Sequence, residues 1–280
     1  SAHHVHHGLS ANADAWEAHC ASVCDALAIP FASTRVNVDR NAGIGLEAAA
    51  REARYHALDA LDTDVVALAH HARDHAETVL LQLLRGSGPA GLAAMPRRAG
   101  RYERPFLNTP RSAIEAYAFE HALTWMDDES NLDARFSRNR LRLKVWPALV
   151  NAFPSAETTL SRAATLQAEA TVLLADLAAI DLKAISDDGV PRVSRLLALS
   201  PERRANVLRH WLASKGLPVP SADTLREWLK QLASTNQTQA IQLGFAKDGA
   251  RVRVYRDQLS VERPIGDWRA VPWTGESGVA

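Results

Sequence analysis

Two carboxylates three residues apart, Asp74 and Glu77, follow a pair of histidines, His70 and His71, at the end of a short apolar run. If a helix has begun by residue 74, both acids project from one face toward one pocket. Such a pair suits the binding of a cation, either a metal or an ammonium group. The elements that must hold them are legible nearby. Val65 to Ala69 is apolar on both faces, as in a buried parallel strand, and open α/β sheets place their ligands beyond the carboxyl ends of such strands. Leu80, Leu81 and Leu84 are available to pack behind the acids, and Arg85 followed by Gly86 reads as the helix end, with Gly88 keeping the backbone open. The spacing also fits a plainer reading, in which Asp74 caps the helix and Glu77 is a first-turn acid favoured by the helix dipole. Spacing alone leaves both readings open.

The preceding chain alternates strand and helix patterns. Val5 to Leu9 is a short strand candidate among four histidines, which no carboxylate or thiolate joins at metal-ligand spacing. Residues 12 to 29 read as an amphipathic helix with Trp16, Cys20, Val23 and Leu27 inward, and Arg35 to Val38 as a strand. A helix from Leu46 to Leu61 follows, with Leu46, Ala50, Ala53, Ala57 and Leu61 inward and Glu47, Arg51 and Arg54 on another face. Alternation of this kind predicts a doubly wound parallel sheet. Thr109 and Pro110 start a helix to about Ala122 with Ile114 and Ala118 inward, Asp127 to Asp133 forms an acidic loop, and Arg135 to Val145 is helical.

A boundary near Pro154 divides the chain into residues 1–153, an α/β domain, and 154–280, a smaller and mainly helical one. The second part has helices over 155–182, 201–214 and 221–233. Strands follow between Ile241 and Glu262, with Asp248-Gly249 as the hairpin turn. With 280 residues, 47% hydrophobic and 23% charged, the chain can bury a sizeable core. The sequence shows no signal peptide and no uninterrupted apolar run of membrane-spanning length, so a cytoplasmic protein without a membrane partner is expected. Cys20 and Cys24 read as thiols on one helix. Net charge is zero, but Arg97, Arg98, Arg101 and Arg104 form one basic cluster and Arg135, Arg138, Arg140, Arg142 and Lys144 another, either of which could face phosphates.

The motifs, taken in order, resemble those of the tRNA(Ile)-lysidine synthetases, a branch of the N-type ATP pyrophosphatases. His4 to Ser10 reads HVHHGLS, followed by Gly45-Leu46-Glu47 with Arg51, Arg54 and Tyr55. His70, His71, Asp74, Glu77 and Thr78 lead into Arg85-Gly86-Ser87-Gly88 and on to Leu92. Arg104 to Leu107, Asp127 to Asn131 and Arg138 to Arg142 complete the series. The resemblance runs more weakly to about Trp273. Arg73 and His75 depart from the family, which commonly has aspartate and glutamine there. The family's phosphate loop, Ser-Gly-Gly-x-Asp-Ser, would precede Ser1, and its members usually continue past residue 280, so the chain is expected to be an internal part of a longer enzyme and inactive by itself.

The resemblance implies a reaction with ATP and Mg²⁺, in which the C2 oxygen of the wobble cytidine of tRNA(Ile) with a CAU anticodon is adenylated and free L-lysine then displaces AMP to form lysidine. It implies Asp74 and Glu77 as catalytic residues, with Asp74 at a metal. His6, His7, Arg51, His70 and His71 would lie toward the nucleotide, and Arg85, Asn131, Arg138, Asn139 and Arg142 toward the RNA or the adenylate. A homodimer is left open. Two alternatives stand beside this reading: a related tRNA-modifying enzyme such as a thiolase, for which Cys20 and Cys24 have the wrong spacing, and a non-catalytic tRNA-binding fragment.

Overall fold

The structure, a computed structural model, describes residues 1–39, 41, 43, 45–234, 241–244 (backbone only) and 251–263. They fall into two compact units, Ser1–Glu169 and Ala170–Ala280, divided within one helix.

In the first unit β1 (Ala2–His6) pairs in parallel with β2 (Phe31–Arg35), His6 opposite Arg35, and α1 (Ala13–Ala26) makes the crossover. The inward line of α1 is Ala13, Trp16, Cys20 and Cys24, whereas Val23 and Leu27 are exposed. Trp16 and Cys20 thus lie inward as expected, while Ala13 and Cys24 take the places expected of Val23 and Leu27. In α2 (Leu46–Asp59) Ala57 is buried and Ala50 and Ala53 are half-buried as expected, but Ala49 and Leu58 are buried as well and Leu46 is exposed. Alanines lie on both candidate lines of that helix, so periodicity could not separate them.

The strand expected over Val65–Ala69 is shorter. β3 (Val66–Ala67) pairs in parallel with β5 (Tyr102–Glu103), and β4 (Arg98–Ala99) adds an antiparallel edge. Arg101 locks this layer to the end of α2 by donating to the carbonyls of Asp59 (3.0 Å), Leu61 (2.7 Å) and Thr63. Arg104 is 6% exposed and donates to the Pro96 carbonyl at 2.8 Å. Two arginines of the first basic cluster thus serve the fold rather than an exposed face. Beyond β3, α3 (Ala72–Leu84) buries Ala72, His75, Ala76, Glu77 and Val79, while Leu84 is 76% exposed and does not pack behind the acids as expected. Arg85 ends the helix and Gly86 takes the left-handed conformation (φ 70°), as anticipated.

After α4 (Pro89–Leu92), α5 (Arg111–Glu120) turns Ile114 and Ala118 inward, as expected. The acidic segment contains a 3₁₀ turn at Glu129–Leu132. The basic segment is one irregular helix: α6 (Ser137–Arg140), a π segment (Leu141–Val145) and α7 (Trp146–Ala152). Pro147 explains the irregularity, since its ring would meet the carbonyl four residues back in a regular α-helix. The Trp146 N–H bonds instead to the Leu141 carbonyl.

α8 (Ala156–Ile185) carries the division between the units. By length and composition it could cross a membrane, with a mean hydropathy of 1.4 over its most apolar window. Glu169 and Asp176 interrupt its apolar run, which is therefore not an uninterrupted one.

The second unit builds its core from α9 (Val193–Ala198), α10 (Pro201–Ser214) and α11 (Ala222–Ser234) against the antiparallel strands β8 (Ile241–Gly244), β9 (Arg251–Tyr255) and β10 (Gln258–Glu262). Leu196, Leu212, Leu225, Val252 and Leu259 are essentially inaccessible. A small hairpin, β6 (Ser186–Asp187) and β7 (Val190–Pro191), leads into α9. The β9–β10 turn is Arg256-Asp257, both with positive φ, the conformation that suits a two-residue hairpin. Asp257 also accepts from the Ser194 N–H and hydroxyl, each at 2.7 Å, and so caps α9. The turn expected at Asp248-Gly249 lies outside the described residues.

Candidate active site

The first turn of α3 is closed by a capping box. The His71 Nδ1 accepts from the Asp74 N–H at 3.4 Å, and Asp74 Oδ2 accepts from the His71 N–H at 3.2 Å. The cap is therefore His71, with Asp74 at the third helical position. One turn on, Glu77 is fully buried, and Arg142 of the π segment clamps it through two parallel bonds of 2.9 and 2.8 Å. Arg142 also reaches Asp74 Oδ1 at 3.3 Å. Arg73 lies 3.3 Å and Arg138 3.7 Å from the Glu77 carboxylate. Arg73 stacks over Trp146, 5.2 Å from the ring centroid, and Arg138 donates to the Thr78 hydroxyl at 2.6 Å. Hydrogen bonding to Glu77 holds the Arg142 guanidinium above its ordinary pKa.

These contacts separate the two acids. Glu77 is enclosed by three guanidinium groups, a buried arrangement that fixes α3 to the basic helix. Asp74 keeps 16% of its side chain exposed and is the acid that a ligand can reach.

Burial drives the His70 pKa down to about 4 against the pull of Asp74, and the positive charges of Arg104, Arg51 and Arg138 push it the same way. Burial also lowers His7, with Arg54 next in effect, and lowers Arg54, on which Arg51 and Arg138 act. His70 therefore feels Asp74 together with the positive charges of Arg104, Arg51 and Arg138, and His7 feels Arg54. The Nδ1 atoms of His7 and His70 are buried and lack a partner among the described residues. Unpaired imidazole nitrogens at the carboxyl ends of parallel strands, in a positive electrostatic environment, fit a phosphorylated ligand.

Other expected residues lie elsewhere or serve the fold. His6 is buried, with Nε2 3.1 Å from Asp14 and Nδ1 accepting from the Gly8 N–H at 3.2 Å. It therefore ties β1 to α1. His6, Asp14 and Glu17 come together as three ligand-type side chains, which corrects the reading that no carboxylate joins the histidines. Arg35 already bonds both acids, at 2.6 and 2.8 Å. Asn139 is buried and donates to the Ser130 and Asp133 carbonyls; Asn131 and Arg85 are exposed. Arg51 lies over Tyr55, 4.8 Å from the centroid, and donates to its hydroxyl at 3.1 Å. Sequence reading overlooked Arg73 as a partner of Glu77. The signal was its four-residue spacing to that acid.

For Mg²⁺, the donor set offers one reachable carboxylate, Asp74. That fits a hydrated ion held largely by phosphate oxygens, which needs only one or two protein carboxylates.

Comparison with known proteins bears on the fold and the family. Residues 1–149 match the family model described as the PP-loop domain, and residues 192–260 match the TilS substrate binding domain. The tRNA(Ile)-lysidine synthase of Burkholderia pseudomallei (strain K96243) is 50% identical over 278 residues, covering 94% of this chain and 56% of the relative. That of Chromobacterium violaceum is 48% identical over 236 residues, covering 82% and 54%. The chain thus spans about half the length of these relatives. Among solved structures, the U34-tRNA thiolase NcsA from Methanococcus maripaludis, determined with its 4Fe–4S cluster, has a TM-score of 0.51 at 15% identity over 60% of this chain and 61% of its own, a likeness of fold. With more than half of its length in that family model, the chain belongs to the PP-loop family.

Proposed function

We propose that the chain is the ATP-using and tRNA-binding part of a tRNA(Ile)-lysidine synthetase, an ATP-dependent carbon–nitrogen ligase of the cytoplasm. The carrying observation is Asp74, reachable at the start of α3 beyond β3 and bonded to Arg142, together with the buried, unpartnered Nδ1 atoms of His7 and His70 in the same unit. The α/β part, residues 1–153, takes the nucleotide and lysine, and the mainly helical part, residues 154–280, serves the tRNA.

The reaction has two steps. The C2 oxygen of the wobble cytidine attacks the α-phosphorus of ATP and pyrophosphate leaves. The ε-amine of lysine then attacks C2, losing a proton, and AMP departs. The positive charges of Arg51, Arg104 and Arg138, which act on His70, lower the cost of negative charge on the phosphates in both steps. His70, neutral at physiological pH, contributes a hydrogen bond rather than a charge, and His7 and His71 stand beside it on the nucleotide side. We assign cation binding to Asp74, which would hold Mg²⁺ or the lysine ammonium, and positioning to Glu77, which keeps Arg142 and Arg138 in place. When bound, Mg²⁺ neutralises triphosphate charge. The cytidine must leave the stack of the anticodon loop to be reached.

The test is ATP-dependent incorporation of labelled lysine into tRNA(Ile) with a CAU anticodon, by this chain and by a form extended to the length of its relatives. Incorporation that Asp74→Asn abolishes, with tRNA affinity nearly unchanged, is expected. Full activity of Asp74→Asn would remove Asp74 from the chemistry, and no incorporation by either form would overturn the assignment.

A further inference from the structure

The helix α8 carries two apolar lines, and its own fold covers only one. The inward line holds Ala164, Ala178, Asp181 and Ile185, all buried, with Asp181 bonded to Arg203 of α10 at 2.9 Å. Roughly a third of the way round the helix, Leu166, Ala170, Leu173, Leu177, Ile180 and Ala184 follow one another at alternating steps of four and three residues. Apart from the half-buried Ala170 all are exposed, Leu173 to 70%. Single exposed apolar residues are normal, but a continuous line at this spacing is the seam of a coiled coil without its partner helix.

The same helix from a second copy, run antiparallel, fits that seam. When Leu173 of one copy meets Leu177 of the other about a two-fold axis, Ala170 falls opposite Ile180 and Leu166 opposite Ala184. Each layer then joins a large residue to a small one, or leucine to leucine. In a parallel pair Ala170 and Ala184 would each face their own counterpart and leave gaps.

Charge favours the same arrangement. Glu169, Asp176 and Lys183, all exposed, follow one another at seven-residue steps along the edge of the seam that faces away from the fold. The antiparallel pair sets Glu169 of each copy beside Lys183 of the other, twice over, and brings the two Asp176 carboxylates together at the axis. A parallel pair would instead set Asp176 beside Asp181. These charges also oppose the other reading of a helix long and apolar enough to cross a membrane, since each would be costly in hydrocarbon.

We infer that α8 is a self-association surface, which joins two copies of this chain as an antiparallel helix pair centred on Leu173 and Leu177. The contact is isologous and closes at two subunits.

Sedimentation equilibrium of the chain over a concentration series tests this. Expected is a reversible dimer that Leu173→Glu/Leu177→Glu, a change of two exposed side chains whose fold is checked by circular dichroism, converts to a monomer throughout. Glu169→Lys and Lys183→Glu should each weaken the dimer about five- to tenfold, by turning two attractive pairs into repulsive ones, and Asp176→Asn should tighten it about threefold. Mixing the two single charge variants should restore association, because each contact then unites opposite charges. A dimer indifferent to the leucine variant would overturn α8 as the interface. Charge variants that fail to rescue one another would overturn the antiparallel pairing. A chain that remains monomeric but floats with vesicles of phosphatidylethanolamine and phosphatidylglycerol would overturn self-association in favour of a membrane surface. A monomer that binds no vesicles would overturn it outright.

Discussion

At the scale of single residues, the two acids of α3 divide into one that is reachable and one that is enclosed. Glu77→Gln would leave three guanidinium groups around an uncharged amide, and breaking a buried pair from one side costs roughly 3–5 kcal/mol. Thermal or denaturant unfolding should show a loss of that order, and a variant as stable as the parent would mean that the arginine clamp contributes little. His70 gives a prediction in pH. Its folded pKa of about 4 lies below the ordinary 6.5, so the unfolded chain takes up a proton that the folded chain refuses. Its contribution to stability is complete above about pH 6.5 and declines as pH falls from there through 4. His70→Gln should flatten the stability profile in that window; an imidazole titrating near 6.5 in an NMR pH series would contradict the burial argument. The acids, the histidine pair and their order were legible because their spacing is local. The clamp of Arg73, Arg138 and Arg142 on Glu77 was not, since Arg138 and Arg142 come from a segment far away in sequence.

At the scale of elements, helix ends were read well and helix faces poorly. Proline, glycine and serine punctuate locally, so α10 and α11 begin and end almost where their start signals place them. The inward faces of α1 and α2 depend instead on which side meets the strands, and where alanine occupies both candidate lines only tertiary contact decides. The turn at Arg256-Asp257 was missed because neither residue is glycine or asparagine. Its Asp257 serves the hairpin and the start of α9 together. Replacing Asp257 with alanine removes the cap and leaves a side chain at φ 66°, a loss of about 1–3 kcal/mol from the two effects. Equilibrium unfolding measures it, and a change below about 0.5 kcal/mol would show that the cap is dispensable.

At the scale of the whole molecule, zero net charge conceals an uneven distribution. Of the second basic run, Arg138 and Arg142 face the buried acids and Arg135 pairs with Asp133, whereas Arg140 and Lys144 are exposed. On the proposed reading, non-specific attraction for tRNA in this segment should therefore rest on the latter two. Arg140→Ala/Lys144→Ala is expected to reduce the salt slope of tRNA binding by about 2 with little change in stability. An unchanged slope would leave them as solvated surface charges. The α/β class and the helical second part were legible from alternation and composition, while the extents of the short strands were not, because two-residue pairings such as β3 with β5 leave almost no periodic trace.

The π segment also has a genetic consequence. Leu141 and Trp146, five residues apart, both face inward across it, so deleting one exposed residue between them would restore the four-residue spacing of an ordinary helix and keep both aligned. The same deletion would set Pro147 against a regular turn, at a cost of about 3 kcal/mol. The extra residue and the proline should then behave as mutual suppressors. Deletion of Leu143 alone should lower the melting temperature, and deletion combined with Pro147→Ala should recover much of the loss.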